Sequence, residues 1–260
     1  MRLSTRAFRL WWAGILAAAL VLLPSCGAAP RGKVLVFAAA SLTDVLQAQA
    51  ELFGKERGVR VDINFGASNS LAQQIARGAP ADVFIAAGVQ PVDELERAGL
   101  TAPGSARELL SNDLVLVAPA GAGLVRSLDD LRKPNVRLAI ADPDLAPAGL
   151  YARQSLVSLG LLSAVQPRLV LGRDVRITLA YVESGSADAA VVYRTDAQIS
   201  RDLEVVATFP DASHAPIVYS AVVLNASSDR ASAAAFLDFL QGPSAREVFQ
   251  KYGFTPASRK

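Results

Sequence analysis

Lys33-Val34-Leu35-Val36-Phe37-Ala38, running without a break into Ala39-Ala40-Ser41-Leu42-Thr43-Asp44, decides the fold. The first six residues form a short apolar run of the kind that makes a buried strand. From Ser41 to Arg57 the apolar residues Leu42, Val45, Leu46 and Phe53 recur at helical spacing, and Gly58 marks the stop. The chain therefore passes from a strand straight into a helix through a turn of small residues. Ser41 is expected at the N-cap of that helix, with Asp44 three residues later completing a capping box.

The same unit repeats outward. Val59 to Phe65 reads as strand, Asn69 to Arg77 as helix closed by Gly78, Asp82 to Ala86 as strand, and Pro91 to Ala98 as helix stopped by Gly99. Beyond a less regular stretch, Leu114 to Ala118 and Arg137 to Ile140 read as strands, and Ala148 to Leu159 and Arg176 to Val182 as helices. Ala189 to Tyr193, Leu203 to Thr208 and Ile217 to Leu224 follow as strands. The helices Arg230 to Leu240 and Ser244 to Tyr252 come last, split by Gly242-Pro243. Strands alternating with helices imply an α/β fold of mostly parallel sheets flanked by helices. About 230 residues is long for one open sheet, so two lobes are expected. Residues 33–112 together with 213–260 would form lobe 1, and residues 113–212 lobe 2.

The N-terminus has a different character. Arg2, Arg6 and Arg9 precede the apolar run Leu10 to Leu23, which Pro24-Ser25-Cys26 ends. A basic start, a short apolar core and small residues at its end describe an export signal over residues 1–25. The run falls short of the roughly 20 residues a spanning helix needs. Residues 26–32 read as a tether. Cys26 is the only cysteine of the 260 residues, so no internal disulfide can form. Without the three arginines of the signal, 23 basic residues face 24 acidic ones, a net charge of −1. Nothing concentrates positive charge as nucleic-acid binding requires.

Four segments place small or hydroxyl residues where a strand gives way to a helix: around Ser41, at Gly66-Ala67-Ser68-Asn69-Ser70, at Asp142 to Gly149, and at Gly172-Arg173-Asp174-Val175. A helix N-terminus presents unpaired N–H groups and a partial positive charge, so it can hold an anion without a cation. In open parallel sheets ligands collect beyond the carboxyl ends of the strands, where these turns would lie.

FAAASLTD at 37–44, GAPADVFIAA at 78–87, DPDLAPAGLYA at 142–152 and KYGF at 251–254 resemble one family, the molybdate-binding proteins of ABC importers. The resemblance runs from about Lys33 to Thr255. It implies the two-lobed periplasmic-binding-protein fold (type II) with a ligand cleft between the lobes. It also implies capture of molybdate or tungstate for delivery to an ABC permease. The matching positions are Ser41 and Ser68, whose hydroxyls would bind the oxyanion, Ala148 and Val175, which would donate backbone N–H groups, and Tyr193, whose neutral hydroxyl would donate the remaining bond. The chain departs from the family in having Ser68-Asn69-Ser70 for a serine run and Asp44 where Asn is common. Leu23-Pro24-Ser25-Cys26 resembles the bacterial lipobox, which would make Cys26 the lipidated mature N-terminus of an exported protein, anchored to a membrane at its periplasmic or cell-surface face. The alternative is an ordinary signal followed by an incidental thiol. The protein is expected to be a monomer with no cofactor besides its ligand.

Neutral donors have a physical logic. A fully deprotonated tetrahedral dianion needs only donors, whereas hydrogenphosphate carries a proton that demands an acceptor, and leaving it unmet costs roughly 1–3 kcal/mol. Sulfate matches molybdate in charge and shape, so a binding protein for another tetrahedral oxyanion is the nearest alternative. An interaction lipoprotein that moves no solute is the alternative of a different class. A hydrolase is disfavoured, because the sole histidine, His214, sits in a polar loop expected to be solvent-exposed, and no G-x-S-x-G elbow is present. One His and one Cys make no metal cluster, and no glycine-rich nucleotide motif occurs.

Overall fold

A computed structural model describes residues 32–121 and 123–257; the expected export signal, Cys26 and most of the expected tether lie outside the described residues. Among the described residues eleven strands are formed: β1 (Gly32–Ala39), β2 (Val59–Gly66), β3 (Val83–Ala86), β4 (Arg107–Ser111), β5 (Leu114–Pro119), β6 (Leu138–Ala141), β7 (Leu169–Gly172), β8 (Ala189–Tyr193), β9 (Leu203–Thr208), β10 (Val218–Val223) and β11 (Thr255–Pro256). The helices are α1 (Thr43–Arg57), α2 (Ser68–Ala76), α3 (Gln90–Arg97), α4 (Pro147–Ser158), α5 (Leu162–Val165), α6 (Val175–Glu183), α7 (Arg194–Ala197), α8 (Arg230–Leu240) and α9 (Pro243–Lys251).

The strands build two sheets, ordered β11-β4-β10-β3-β1-β2 and β7-β6-β8-β5-β9. Each has a parallel part at one end, β3-β1-β2 in the first and β7-β6-β8 in the second. Antiparallel strands extend both: β10 pairs with β3 and β4, and β5 pairs with β8 and β9. The two-lobed α/β architecture expected from the sequence is thus present, with one qualification. The strands that receive the chain at the two crossings, β5 and β10, run against their neighbours. Only Asn112 and Asp113 separate β4 in the first sheet from β5 in the second, and residues 209–217 return the chain from β9 to β10.

The central strands are buried on both faces: β3, β6 and β8 expose none of their residues. Such strands read as continuous apolar runs, VFIA, LAIA and AAVVY. Glycines stop the helices where the sequence places them, as at Gly58, which closes α1 with φ 67° and bonds back to the Gly54 carbonyl at 2.9 Å. Strand β4 was not legible as a strand. Its RELLS sequence carries two charges, and only Leu109 and Leu110 are buried. Strand β7 hides for a different reason, with four residues directly after a 3-10 turn at Gln166–Arg168 and only Gly172 fully covered.

Candidate anion site in the cleft

The carboxyl ends of the parallel strands point into the cleft, and each feeds a helix or turn that starts there. β1 leads into a 3-10 turn, Ala40–Leu42, and then α1; β2 leads into α2, and β7 into α6. One small cavity lies where these starts meet. Ser41, Ser68, Ala148, Val175 and Tyr193 all line it, together with Ala39, Ala40, Gly66, Ala67, Ala87, Ala146, Pro147 and Asp174. All five positions singled out in the sequence therefore converge, from segments up to 152 positions apart. The cavity leaves only about 10 Å³ for the centre of a water-sized sphere. That is room for one compact group and excludes an organic ligand of ordinary size.

The donors face inward for local reasons. Ser68 is the first residue of α2 and Val175 the first of α6, while Ala148 follows Pro147 in the first turn of α4. The first four N–H groups of a helix have no partner within it, so these three are left for a ligand. Asp174 caps α6: its carboxylate accepts from the Arg176 and Ile177 N–H groups, both at 3.0 Å, which leaves Val175 as the uncapped donor. The Ser68 hydroxyl oxygen accepts the Ala87 N–H at 3.1 Å, so its own proton is free to turn into the cavity. Tyr193, the last residue of β8, is 1% exposed. Burial above all, with Tyr219 and Tyr151 nearby, pushes its pKa well above the ordinary phenol value, so it stays a neutral donor. Its hydroxyl reaches only the Ala87 carbonyl, at a long 3.4 Å.

Gly149 lets α4 approach. A Cβ there would sit on the Ala141 carbonyl and within 2.8 Å of the Asp142 carbonyl carbon. No residue but glycine fits between the end of β6 and the start of this helix.

Three sequence expectations are corrected. Ser41 is not an N-cap. It lies inside the 3-10 turn, the caps are Ala39 and Leu42, and neither makes a side-chain capping bond. The Ser41 hydroxyl instead lies 3.0 Å from the Tyr219 hydroxyl on β10, because the turn rotates it inward. Asp44 forms no capping box either. It bonds Arg176 of α6 at 2.7 Å, across the cleft. His214 is half-buried rather than solvent-exposed. Its ring lies 5.9 Å from that of Tyr151, and its Nδ1 sits 2.7 Å from the Ala215 carbonyl.

Sequence reasoning missed three participants. Ala87 supplies an N–H to Ser68 and a carbonyl to Tyr193. Tyr219 touches Ser41, and Arg176 reaches the Ser41 carbonyl at 3.3 Å. Arg176 also pairs at 2.7 Å with Asp196, which is fully buried. Burial pushes the Asp196 carboxyl up to about 6, against the pull of Arg176. Across the cleft, Asn69 of α2 donates to the Leu145 carbonyl at 3.1 Å through its backbone and to the Asp144 carbonyl at 3.2 Å through its side chain.

The profile of the bacterial extracellular solute-binding proteins matches residues 34–255. Molybdate-binding protein ModA of Escherichia coli K12 is 42% identical over 234 residues, covering 87% of this chain and 90% of that protein. The putative ABC transporter substrate-binding lipoprotein YvgL of Bacillus subtilis is 37% identical over 222 residues, 85% of each chain. Among solved structures, the periplasmic molybdate-binding protein of Azotobacter vinelandii superposes with a TM-score of 0.77 at 30% identity, covering 86% of this chain and all of that one. The chain belongs to the bacterial extracellular solute-binding proteins, within the group of molybdate-binding proteins.

Proposed function

We propose that this protein captures molybdate, or the similarly sized tungstate, in the cleft cavity and delivers it to the permease of an ABC importer. One observation carries the reading: Ser41, Ser68, Ala148, Val175 and Tyr193 surround a single cavity that holds one compact group. These are neutral donors, and the one carboxylate at the wall, Asp174, is already engaged by its own helix. That environment suits a fully deprotonated tetrahedral anion and penalises one that must donate a proton. The protein acts by binding and release rather than by catalysis.

Residues 33–112 with 213–260 form one lobe in this reading and residues 113–212 the other, and closure over the ion presents the surface a permease recognises. Cys26 is the lipid anchor, an assignment supported by its lipobox-like context and by the lipoprotein name carried by the B. subtilis relative. Among the described residues no helix is long and apolar enough to cross a membrane.

The test is a melting curve with each oxyanion in excess. A ligand that binds only the folded state stabilises it by about 2.7 kcal/mol at a hundred times its dissociation constant. In a domain of this size each kcal/mol moves the midpoint by roughly 2–4 °C. Molybdate and tungstate should raise it by about 5–10 °C, sulfate much less and phosphate almost not at all. Equal shifts with sulfate would replace the assignment by a generic oxyanion binder. No shift with any of the four would leave a lipoprotein that moves no solute.

A further inference from the structure

The hydroxyl of Ser41 has a neighbour whose hydrogen-bond direction is fixed from behind. Asn112, at the crossover between β4 and β5, turns its side-chain oxygen to the Asp113 N–H at 3.0 Å. Its amide nitrogen therefore faces Thr195 Oγ1, at 2.8 Å, and the Tyr219 hydroxyl, at 3.3 Å. An amide NH₂ can only donate, and these two oxygens take its two protons. The Tyr219 oxygen is thus an acceptor towards Asn112, and its own proton goes to the remaining partner, Ser41 Oγ at 3.0 Å. Ser41 then accepts on the side away from the cavity, and its proton is the one turned inward. Both tyrosine and serine are buried, so no bulk water intervenes to scramble the order.

We infer that Tyr219, held by Asn112, is a positioning residue that fixes Ser41 as a hydrogen-bond donor and so tunes the cleft for anions carrying no proton. Ser68 is fixed in the same sense by the Ala87 N–H, which makes both serine hydroxyls of the cavity donors by construction. The inference rests on the oxyanion reading and deepens it. It concerns a residue outside the cavity wall, 178 positions from the serine it orients.

The experiment is a double-mutant cycle on the purified full-length protein, with molybdate and phosphate affinities measured by calorimetric titration. Tyr219→Phe keeps the ring packed on Tyr193 and Phe254, with centroids 5.9 and 5.6 Å away, and removes only the hydroxyl. It should raise the molybdate Kd about 3- to 10-fold, the range for one hydrogen bond, and narrow the margin over phosphate. In a Ser41→Ala background the same change should move the Kd by less than about 1.5-fold, because the effect passes through Ser41. Asn112→Ala, which spares the ring packing, should act in the same direction more weakly and stands in if Tyr219→Phe does not fold. An unchanged Kd in both single variants overturns the inference. So does an equal loss with and without Ser41, which would mark a purely structural role. Absence of molybdate binding in the wild type would instead overturn the oxyanion reading and the inference with it.

Discussion

Asp44→Ala should weaken molybdate binding by accelerating release. Arg176 of α6 is fixed within its own half of the molecule by Asp196 at 2.7 Å, and its other face crosses the cleft to Asp44 at 2.7 Å and to the Ser41 carbonyl at 3.3 Å. Removing the Asp44 carboxylate deletes the crossing half and leaves the buried Arg176–Asp196 pair intact. The Asp44 side chain is 42% exposed and that of Arg176 23%, so water screens the pair and its worth is about 1 kcal/mol rather than that of a buried bridge. The pair joins α1 of the first half to α6 of the second, so separating the halves would break it. Its loss therefore lowers the closed-to-open ratio by about 5-fold, since RT is about 0.59 kcal/mol. Stopped-flow mixing should show the dissociation rate rising by about that factor with the association rate little changed. Raising salt to about 1 M, where the screening length falls to about 3 Å, should shrink the difference between mutant and wild type. An unchanged dissociation rate, or a loss carried entirely by association, would refute the latch.

Tyr193→Phe should weaken molybdate binding by about 0.5–3 kcal/mol with little change in the melting point of the free protein, whose Tyr193 hydroxyl makes only one long bond; a large fall in that melting point would contradict this. Ser68→Ala should cost more on both counts, because it also leaves the Ala87 N–H without its 3.1 Å acceptor. Gly149→Ala should lower the melting midpoint by more than about 6 °C, since its Cβ meets strand backbone that cannot move aside and overpacking costs about 1–3 kcal/mol or more. Cys26→Ser should move the protein from the membrane fraction to the soluble one while oxyanion titrations stay unchanged; continued partition into detergent would remove the lipid anchor.

What the sequence made legible follows the range of each interaction. The strand-to-helix units were readable because apolar runs, helical spacing and glycine stops are written in consecutive residues, and the α2 and α6 starts fall within one or two positions of expectation. The positions Ser41, Ser68, Ala148, Val175 and Tyr193 were reached through motif resemblance, and the fold brings all five to one cavity. The second layer was not readable, because its partners are distant. Tyr219 sits in an ordinary apolar strand, VYSAVV, and nothing local marks its hydroxyl for a serine that follows β1, two strands away in the sheet. Asp44 looked like a capping residue because the three-residue spacing was correct, yet an arginine 132 positions away offers it a full charge. The antiparallel crossings were equally hidden, since a short strand reads the same in either direction.

The handling of charge explains how such a site can both hold and release a dianion. The cations beside Val175 are already engaged: Arg173 lies 3.6 Å from the Asp174 carboxylate, and Arg176 pairs with both Asp44 and Asp196. The ion would thus be met by dipoles and hydroxyls, not by a formal positive charge. Those donors are divided between the halves. Ser41 and Ser68 stand on elements of the first sheet, while Ala148, Val175 and Tyr193 stand on elements of the second. Opening the cleft would split the shell into two and three donor residues, and neither group alone would replace the hydration of a dianion. A free arginine on one lobe would keep its hold after opening. Neutral donors shared between the two lobes tie affinity to closure, so a permease that pries the lobes apart needs no further device to free the ion.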